Sequence, residues 1–265
     1  MSDERIQRII AGMLEDVQIL VLAGGMGTRM NGPDLPKVLT PLNGQPLISY
    51  LLDELEKLDL SLEPAIVVGA SANIVKDALG SQYLYIHQEE QLGTGHAVAC
   101  AKSTLEGKAS TIVVMYGDHP LVTAEMVHSL SRKHKQSGAT MTLGIVSVPD
   151  FNDWRSAFYS FGRVVRSPDG KLQGIVELKD ATENQKLITE VNPSYFCFDA
   201  EWLWSKIDSL SSTNAQHEYY LTDLLKMAFE QNQPISTIEI DPPEGLGVNT
   251  PQELKNVEQF MLERA

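Results

Sequence analysis

The chain has 265 residues, 43% hydrophobic and 21% charged, a balance suited to a folded domain with a real core and not to a disordered tail. Its 35 acidic residues outnumber 21 basic ones for a net charge of −14; such a surface repels phosphate backbones, so nucleic acid is not expected as a partner. No apolar run reaches membrane-spanning length, and the start MSDERIQRIIAGMLEDV is too charged for a secretory signal, so no membrane association and a cytoplasmic location are expected.

Residues 3–15 place Ile6, Ile9, Ile10, Met13 and Leu14 at helical spacing and predict an N-terminal helical extension over 1–16. The run VQILVLA (17–23) is almost wholly apolar, the mark of a strand buried on both faces. AIVVGA (65–70), YLYIH (83–87) and TIVVMYG (111–117) repeat that pattern. Helical patterns at 46–58, 72–79, 95–104 and 123–136 separate them, which predicts a mostly parallel sheet covered on both faces. The two cysteines, Cys100 and Cys197, stand in apolar stretches and read as buried free thiols.

From residue 139 the character changes. Strands are predicted at 139–148, 162–167, 171–178 and 189–198, and the turn sequence SPDG (167–170) makes 162–178 a hairpin. Helices at 200–208 and 219–231, a strand at 235–240 and a helix at 251–263 complete the chain. The expectation is an α/β protein with a Rossmann-like, mostly parallel mixed sheet flanked by helices. It forms a single domain over 17–265, with an α/β half (17–137) and a β-rich half (138–265).

The stretch VLAGGMGTRMNGPDLPKVL (21–39) directly follows the first strand. Glycines after a strand expose backbone N–H groups to an anion and allow close approach. The dinucleotide fingerprint fails because Met30 stands where its third glycine belongs, and the Gly-Lys-Ser/Thr of a P-loop is absent. In an acidic protein the placement of Arg29 and Lys37 in this loop, with Pro36 stiffening the chain beside Lys37, suggests a wrap around a polyphosphate. Asp118, at the end of the strand before GDHPL, sits where open parallel sheets bind ligands, and its carboxylate suits a hard cation.

LAGGMGTRM…LPKVL resembles the signature loop of the sugar-1-phosphate nucleotidyltransferases. HQEEQLGTGHAV (87–98), YGDHPL (116–121), FGRVVR (161–166), GIVELKDAT (174–182), EVNPSYF (190–196), NAQHEYYLTD (214–223) and GVNTPQEL (247–254) follow in order. Together they are similar to the bacterial uridyltransferase domains that act on N-acetylglucosamine-1-phosphate. The resemblance implies the nucleotide-diphospho-sugar transferase fold. It also implies transfer of UMP from UTP to a sugar-1-phosphate, with Mg2+ as cofactor and pyrophosphate released. In that family an acetyltransferase β-helix of hexapeptide repeats follows; no such repeats occur here, so acetyl-CoA chemistry is not expected.

Carried over residue by residue, the resemblance assigns Arg29 to the departing pyrophosphate and Lys37 to the phosphates at the reacting centre. Backbone groups of Leu22, Ala23, Gly24 and Gly25 lie near the nucleotide, while Gln88, Gly93 and Thr94 read the base. Glu177 and Asn192 bind the sugar, with Gly162, Tyr116, Tyr220 and Thr222 lining its subsite. Asn249 joins Asp118 as metal ligand. His96 is read as structural. Several positions depart from the family pattern. Met26 replaces a basic residue, Phe161 a tyrosine and His217 a glycine, and Pro193 and Ser194 interrupt an Asn-Thr-Gly. They bear on the acceptor more than on the nucleotide. Another hexose- or hexosamine-1-phosphate is therefore the alternative substrate, and a non-catalytic UDP-sugar-binding regulator the alternative role. Oligomeric state is not legible.

Overall fold

The computed structural model describes residues 14–27, 30 and 35–264. Arg29 and residues 1–13, which hold most of the expected N-terminal helix, lie outside them.

Strand β1 (Val17–Ala23) is buried at every position. Its alternation explains the all-apolar run. Ile19, Val21 and Ala23 join the core on one face of the sheet, and Leu20 and Leu22 join the core on the other. Beyond the glycine loop come a short hairpin, β2 (Pro41–Leu42) with β3 (Gln45–Pro46), and helix α1 (Leu47–Glu56). The α1 residues Leu47, Ile48, Leu51, Leu52 and Leu55 form one buried stripe. β4 (Ala65–Val68), α2 (Ala72–Leu79), β5 (Leu84–His87), α3 (Thr94–Leu105), β6 (Thr111–Tyr116) and α4 (Ala124–Ser137) then alternate as the periodicity predicts. The N-cap of α4 is Thr123, whose Oγ1 accepts the Met126 N–H at 3.2 Å. Asp118 is therefore free of capping duty.

The second half contributes β7 (Met141–Ser147), β8 (Gly162–Arg166), β9 (Leu172–Val176), α5 (Glu183–Lys186), β10 (Glu190–Asn192), β11 (Phe196–Asp199), α6 (Ala200–Lys206), α7 (Asp223–Glu230), β12 (Ile235–Glu239) and α8 (Pro251–Arg264). Among the described residues ten strands form one sheet in the order β5-β4-β1-β6-β11-β7-β10-β8-β9, with β12 also pairing β7. β5, β4, β1 and β6 run parallel. β11 is antiparallel to both β6 and β7, and β8 and β9 form the expected hairpin.

Three expectations need correction. The single strand at 189–198 is two strands. Pro193 offers no N–H, and Ser194 takes the left-handed φ of 70°, so the chain breaks at 193–195. β10 then pairs β8, while β11 pairs β6. The helix expected at 219–231 starts only at Asp223, because Tyr219 is held in backbone pairing. Its N–H donates to Leu92 O at 2.8 Å, and its carbonyl accepts from the Gly95 N–H at 2.8 Å. Cys197 is buried, but Cys100 is only partly so. Among the described residues no helix is long and apolar enough to cross a membrane.

The register sets the site. Ala23 pairs with Val68, Val68 with His87, and Leu22 with Tyr116. The residues that follow these partners (Gly24, Gly69, Gln88, and Gly117 with Asp118) therefore leave the same edge of the sheet side by side.

Candidate functional site

At that edge lies a cleft of about 250 Å³. Leu22, Ala23, Gly24, Gly25, Lys37, Gln88, Gly93, Thr94, Tyr116 and Asp118 all line it, ten of the residues singled out from sequence. Gln91 and Glu218 line it too. Gln91 stands inside the QLGTG segment and donates from Nε2 to the Gly24 carbonyl, which pins the glycine loop.

Lys37 owes its position to a rigid turn. Its N–H donates to Gly25 O at 3.2 Å, one 3-10 turn (Lys37–Leu39) follows Pro36, and Val38 and Leu39 are buried anchors. Gly27 has φ 63°, and a Cβ there would stand 3.0 Å from Lys37 Cα, so only glycine allows this packing. The Lys37 ammonium donates to Asp118 Oδ2 and, at 2.8 Å, to Asn249 Oδ1. Asn249 is free to do so because the cap of α8 falls to its neighbour. Thr250 Oγ1 accepts the Glu253 N–H at 3.2 Å, and the Glu253 carboxylate takes the Asn249 N–H at 2.6 Å. The Val248 N–H donates to Asp118 O at 2.9 Å and ties the two segments together.

Burial pushes the Asp118 carboxyl up, but the facing charges of Lys37 and His119, with the Lys37 hydrogen bond, outweigh it and hold the group below its ordinary range. His119 is itself pushed down, by burial first. Its Nδ1 lies 2.7 Å from Tyr195 Oη, and that hydroxyl donates to Glu244 O at 2.6 Å. The tyrosine oxygen must then accept, so His119 carries its proton on Nδ1. Nothing in the composition of the sequence signalled His119, Tyr195 or Glu244 as support for the Asp118 loop; their meeting is tertiary.

Of the residues expected to meet the sugar, Tyr116 has a phenol that contacts the Thr94 and Ser194 side chains and is pushed up by burial. Glu177 turns inward. Its Oε1 accepts from Thr222 Oγ1 at 3.0 Å, and it raises the strain on any side chain at Gly162, where a Cβ would meet Oε1 at 3.3 Å and Ile175 at 2.6 Å. Burial pushes the Glu177 carboxyl up; the Thr222 bond opposes this, and the charges of Asp223 and Asp180 add to it. Glu177 and Tyr220 line a neighbouring cavity of about 490 Å³ together with Asp180 and Asp223. Tyr220 points to Asp180, at 3.3 Å, and not into the cleft beside Lys37. Asn192 is buried, and its Oδ1 accepts the Ser194 N–H at 2.9 Å, so part of its hydrogen-bonding capacity closes the turn at Pro193.

Among the described residues no group of three or more His, Cys, Asp or Glu side chains could hold a metal ion. The donor set fits a hard divalent cation in another way. One carboxylate and one amide oxygen converge on a single point that already carries the positive charge of Lys37. Magnesium takes few protein oxygens and completes its shell with phosphates and water. Asp118 and Asn249 are the residues that would hold it.

The family of the MobA-like NTP transferase domain matches residues 19–184. The chain is 39% identical over 246 residues to the bifunctional protein GlmU of Bacillus subtilis, covering 92% of this chain and 52% of that protein. It is 37% identical over 245 residues to the GlmU of Clostridium novyi, covering 91% of this chain and 51% of the relative. The chain thus spans about half the length of the curated relatives it matches. Among solved structures, UDP-glucose pyrophosphorylase complexed with UDP-glucose aligns with a TM-score of 0.70 at 16% identity, over 94% of this chain and 99% of that one, a likeness of fold.

Proposed function

The chain belongs to the MobA-like NTP transferase family, and from that premise we propose that it transfers UMP from UTP to a sugar-1-phosphate, N-acetylglucosamine-1-phosphate first among them, releasing pyrophosphate. The position of Lys37 carries this reading: a cation held by two oxygen acceptors inside a glycine-lined cleft of an acidic protein. Residues 17–265 act as one catalytic unit.

The attacking phosphate oxygen is anionic near neutral pH, so no general base is needed. The barrier lies in bringing two anions together in line, and catalysis rests on charge neutralisation and positioning. Backbone groups of Gly24 and Gly25 hold the triphosphate against the sheet edge. Lys37 exchanges its contacts with Asp118 and Asn249 for the phosphates at the reacting centre. Arg29, outside the described residues, is assigned by the family resemblance alone to the departing pyrophosphate. Gln88, Gly93 and Thr94 read the base, while Glu177 and Asn192 hold the sugar. When bound by Asp118 and Asn249, Mg2+ supplies further neutralisation of phosphate charge.

One observation favours a different hexose- or hexosamine-1-phosphate as acceptor: Asn192 is partly consumed by Ser194 beside a proline. Pyrophosphate release from UTP, CTP and dTTP, each with N-acetylglucosamine-1-phosphate and glucose-1-phosphate, decides the matter. Magnesium-dependent release with UTP and the amino sugar is the expected result. Binding of the UDP-sugar without any release would replace the enzyme by a regulator. Asp118→Asn should lower turnover by about a hundredfold or more while the fold melts cooperatively.

A further inference from the structure

Gln88 is 4% exposed, so its amide cannot turn freely in water. Two partners fix which way it faces. Its Nε2 lies 3.2 Å from the Gly93 carbonyl, and a carbonyl only accepts, so the amide nitrogen must stand there. The same nitrogen lies 3.1 Å from His96 Nδ1, which must therefore accept as well. The imidazole proton is left on Nε2, 3.8 Å from Cys100 Sγ, a weak acceptor. With both amide hydrogens taken, Gln88 Oε1 faces the other way, 3.1 Å from where a Cβ on Gly24 would be. The cleft thus meets its ligand with an acceptor.

We infer that His96 is a positioning residue that locks the Gln88 amide with its oxygen toward the cleft and so makes the site select a pyrimidine with N–H at ring position 3. This rests on the nucleotide reading of the cleft given above. Uracil offers that N–H to Gln88 Oε1. Cytosine has a lone pair at the same position and meets the oxygen with repulsion. Thymine shares the N–H and is not rejected by this device. His96 touches neither nucleotide nor sugar; it acts through Gln88.

The experiment measures UTP and CTP binding by titration calorimetry, alongside pyrophosphate release, for the wild type, His96→Leu and His96→Asn. Asparagine keeps an acceptor where Nδ1 stands; leucine removes it. The His96→Leu variant should lose about tenfold in the ratio of UTP to CTP affinity, the worth of one hydrogen bond, while His96→Asn keeps the wild-type ratio. A folded leucine variant with the wild-type ratio overturns the inference, as does an asparagine variant no better than leucine or a wild type that binds both nucleotides equally. A wild type that prefers UTP in binding yet releases no pyrophosphate defeats the transferase reading alone, and the variants still decide His96. Should the leucine variant fail to fold, the long-range proton–nitrogen NMR spectrum of the wild type identifies the tautomer directly. A proton on Nε2 supports the lock, and a proton on Nδ1 overturns it.

Discussion

Lys37 and Asp118 stand 81 positions apart in the chain, yet the lysine ammonium rests on one aspartate oxygen in a sheltered site, with side-chain exposures of 20% and 7%. Each group is placed by its own neighbourhood, but their meeting is tertiary. Lys37 is carried in by a turn anchored on Val38 and Leu39, and Asp118 by the tip of a strand buried at every position but its last, Tyr116. In the proposed reaction phosphates would become the partners of Lys37, and a divalent ion the partner of Asp118.

Lys37→Met should leave the Asp118 carboxylate buried with only Asn249 and His119 beside it. The expected loss is about 2 kcal/mol of stability, less than for a fully buried pair because the lysine is partly exposed. Magnesium should restore more of the melting temperature in this variant than in the wild type, since the divalent ion takes the vacated charge position. Equal magnesium effects in melts of both proteins would argue that Asp118 and Asn249 do not hold the metal.

Glu177→Gln should raise the KM for the sugar-1-phosphate by about tenfold, as one carboxyl oxygen able to accept a hydrogen bond is replaced by an amide NH₂ group, and leave the KM for UTP unchanged. Stability should not fall, because Glu177 sits near the charges of Asp180 and Asp223 and is pushed toward its neutral form. Steady-state kinetics with each substrate varied in turn gives the answer. An equal rise in both constants would show that Glu177 supports the whole cleft and not the sugar subsite.

Ser194 and His217 hold φ values of 70° and 56°, the left-handed region that side chains disfavour. Ser194→Gly and His217→Gly should each stabilise the fold by about 0.5 kcal/mol, relief of strain outweighing the added freedom of the unfolded chain. Urea midpoints measure this. A loss in either variant would mean that the side chain's own contacts matter more than its backbone.

His134 is pushed down from 6.5 to about 4, by burial first, and its Nδ1 lies 3.0 Å from Thr142 Oγ1. The folded state thus binds this proton less readily than the unfolded one. Its contribution to stability is full above pH 6.5 and is lost as the pH falls toward 4, at a limiting slope of about 1.4 kcal/mol per pH unit. His134→Gln should flatten that part of the pH–stability curve. His128 is displaced in the same direction, so the variant removes only a share. Urea titrations at several pH values compare the two proteins, and parallel curves would rule out His134 as a source of the acid sensitivity.

The chain's order of elements was written locally. Apolar runs such as VQILVLA and TIVVMYG are buried strands, and the stripe Leu47, Ile48, Leu51, Leu52 and Leu55 is a buried helix face, because burial on two faces or one leaves a period that can be read without knowing the partners. The loop after β1 and the acid after β6 were legible for a related reason: parallel strands deliver their following residues to one edge. The break at 193–195 was half legible. Pro193 announced a missing N–H, but only the competition of β6 and β8 for the two segments turns that gap into separate strands.

What the sequence determined by itself is therefore most of the strands and helices, the glycine loop and the residue types delivered to the cleft, since each depends on nearest neighbours and periodicity. What only the tertiary structure decided is which of those groups meet. Asn249 lies 212 positions from Lys37 and reaches it only because Thr250 takes over the helix cap. Tyr195 comes under His119, and Gln88 is turned by His96 and Gly93. Contacts of this kind are settled when buried polar atoms find partners across the fold, a condition imposed by the packed interior and carried by no local stretch of chain.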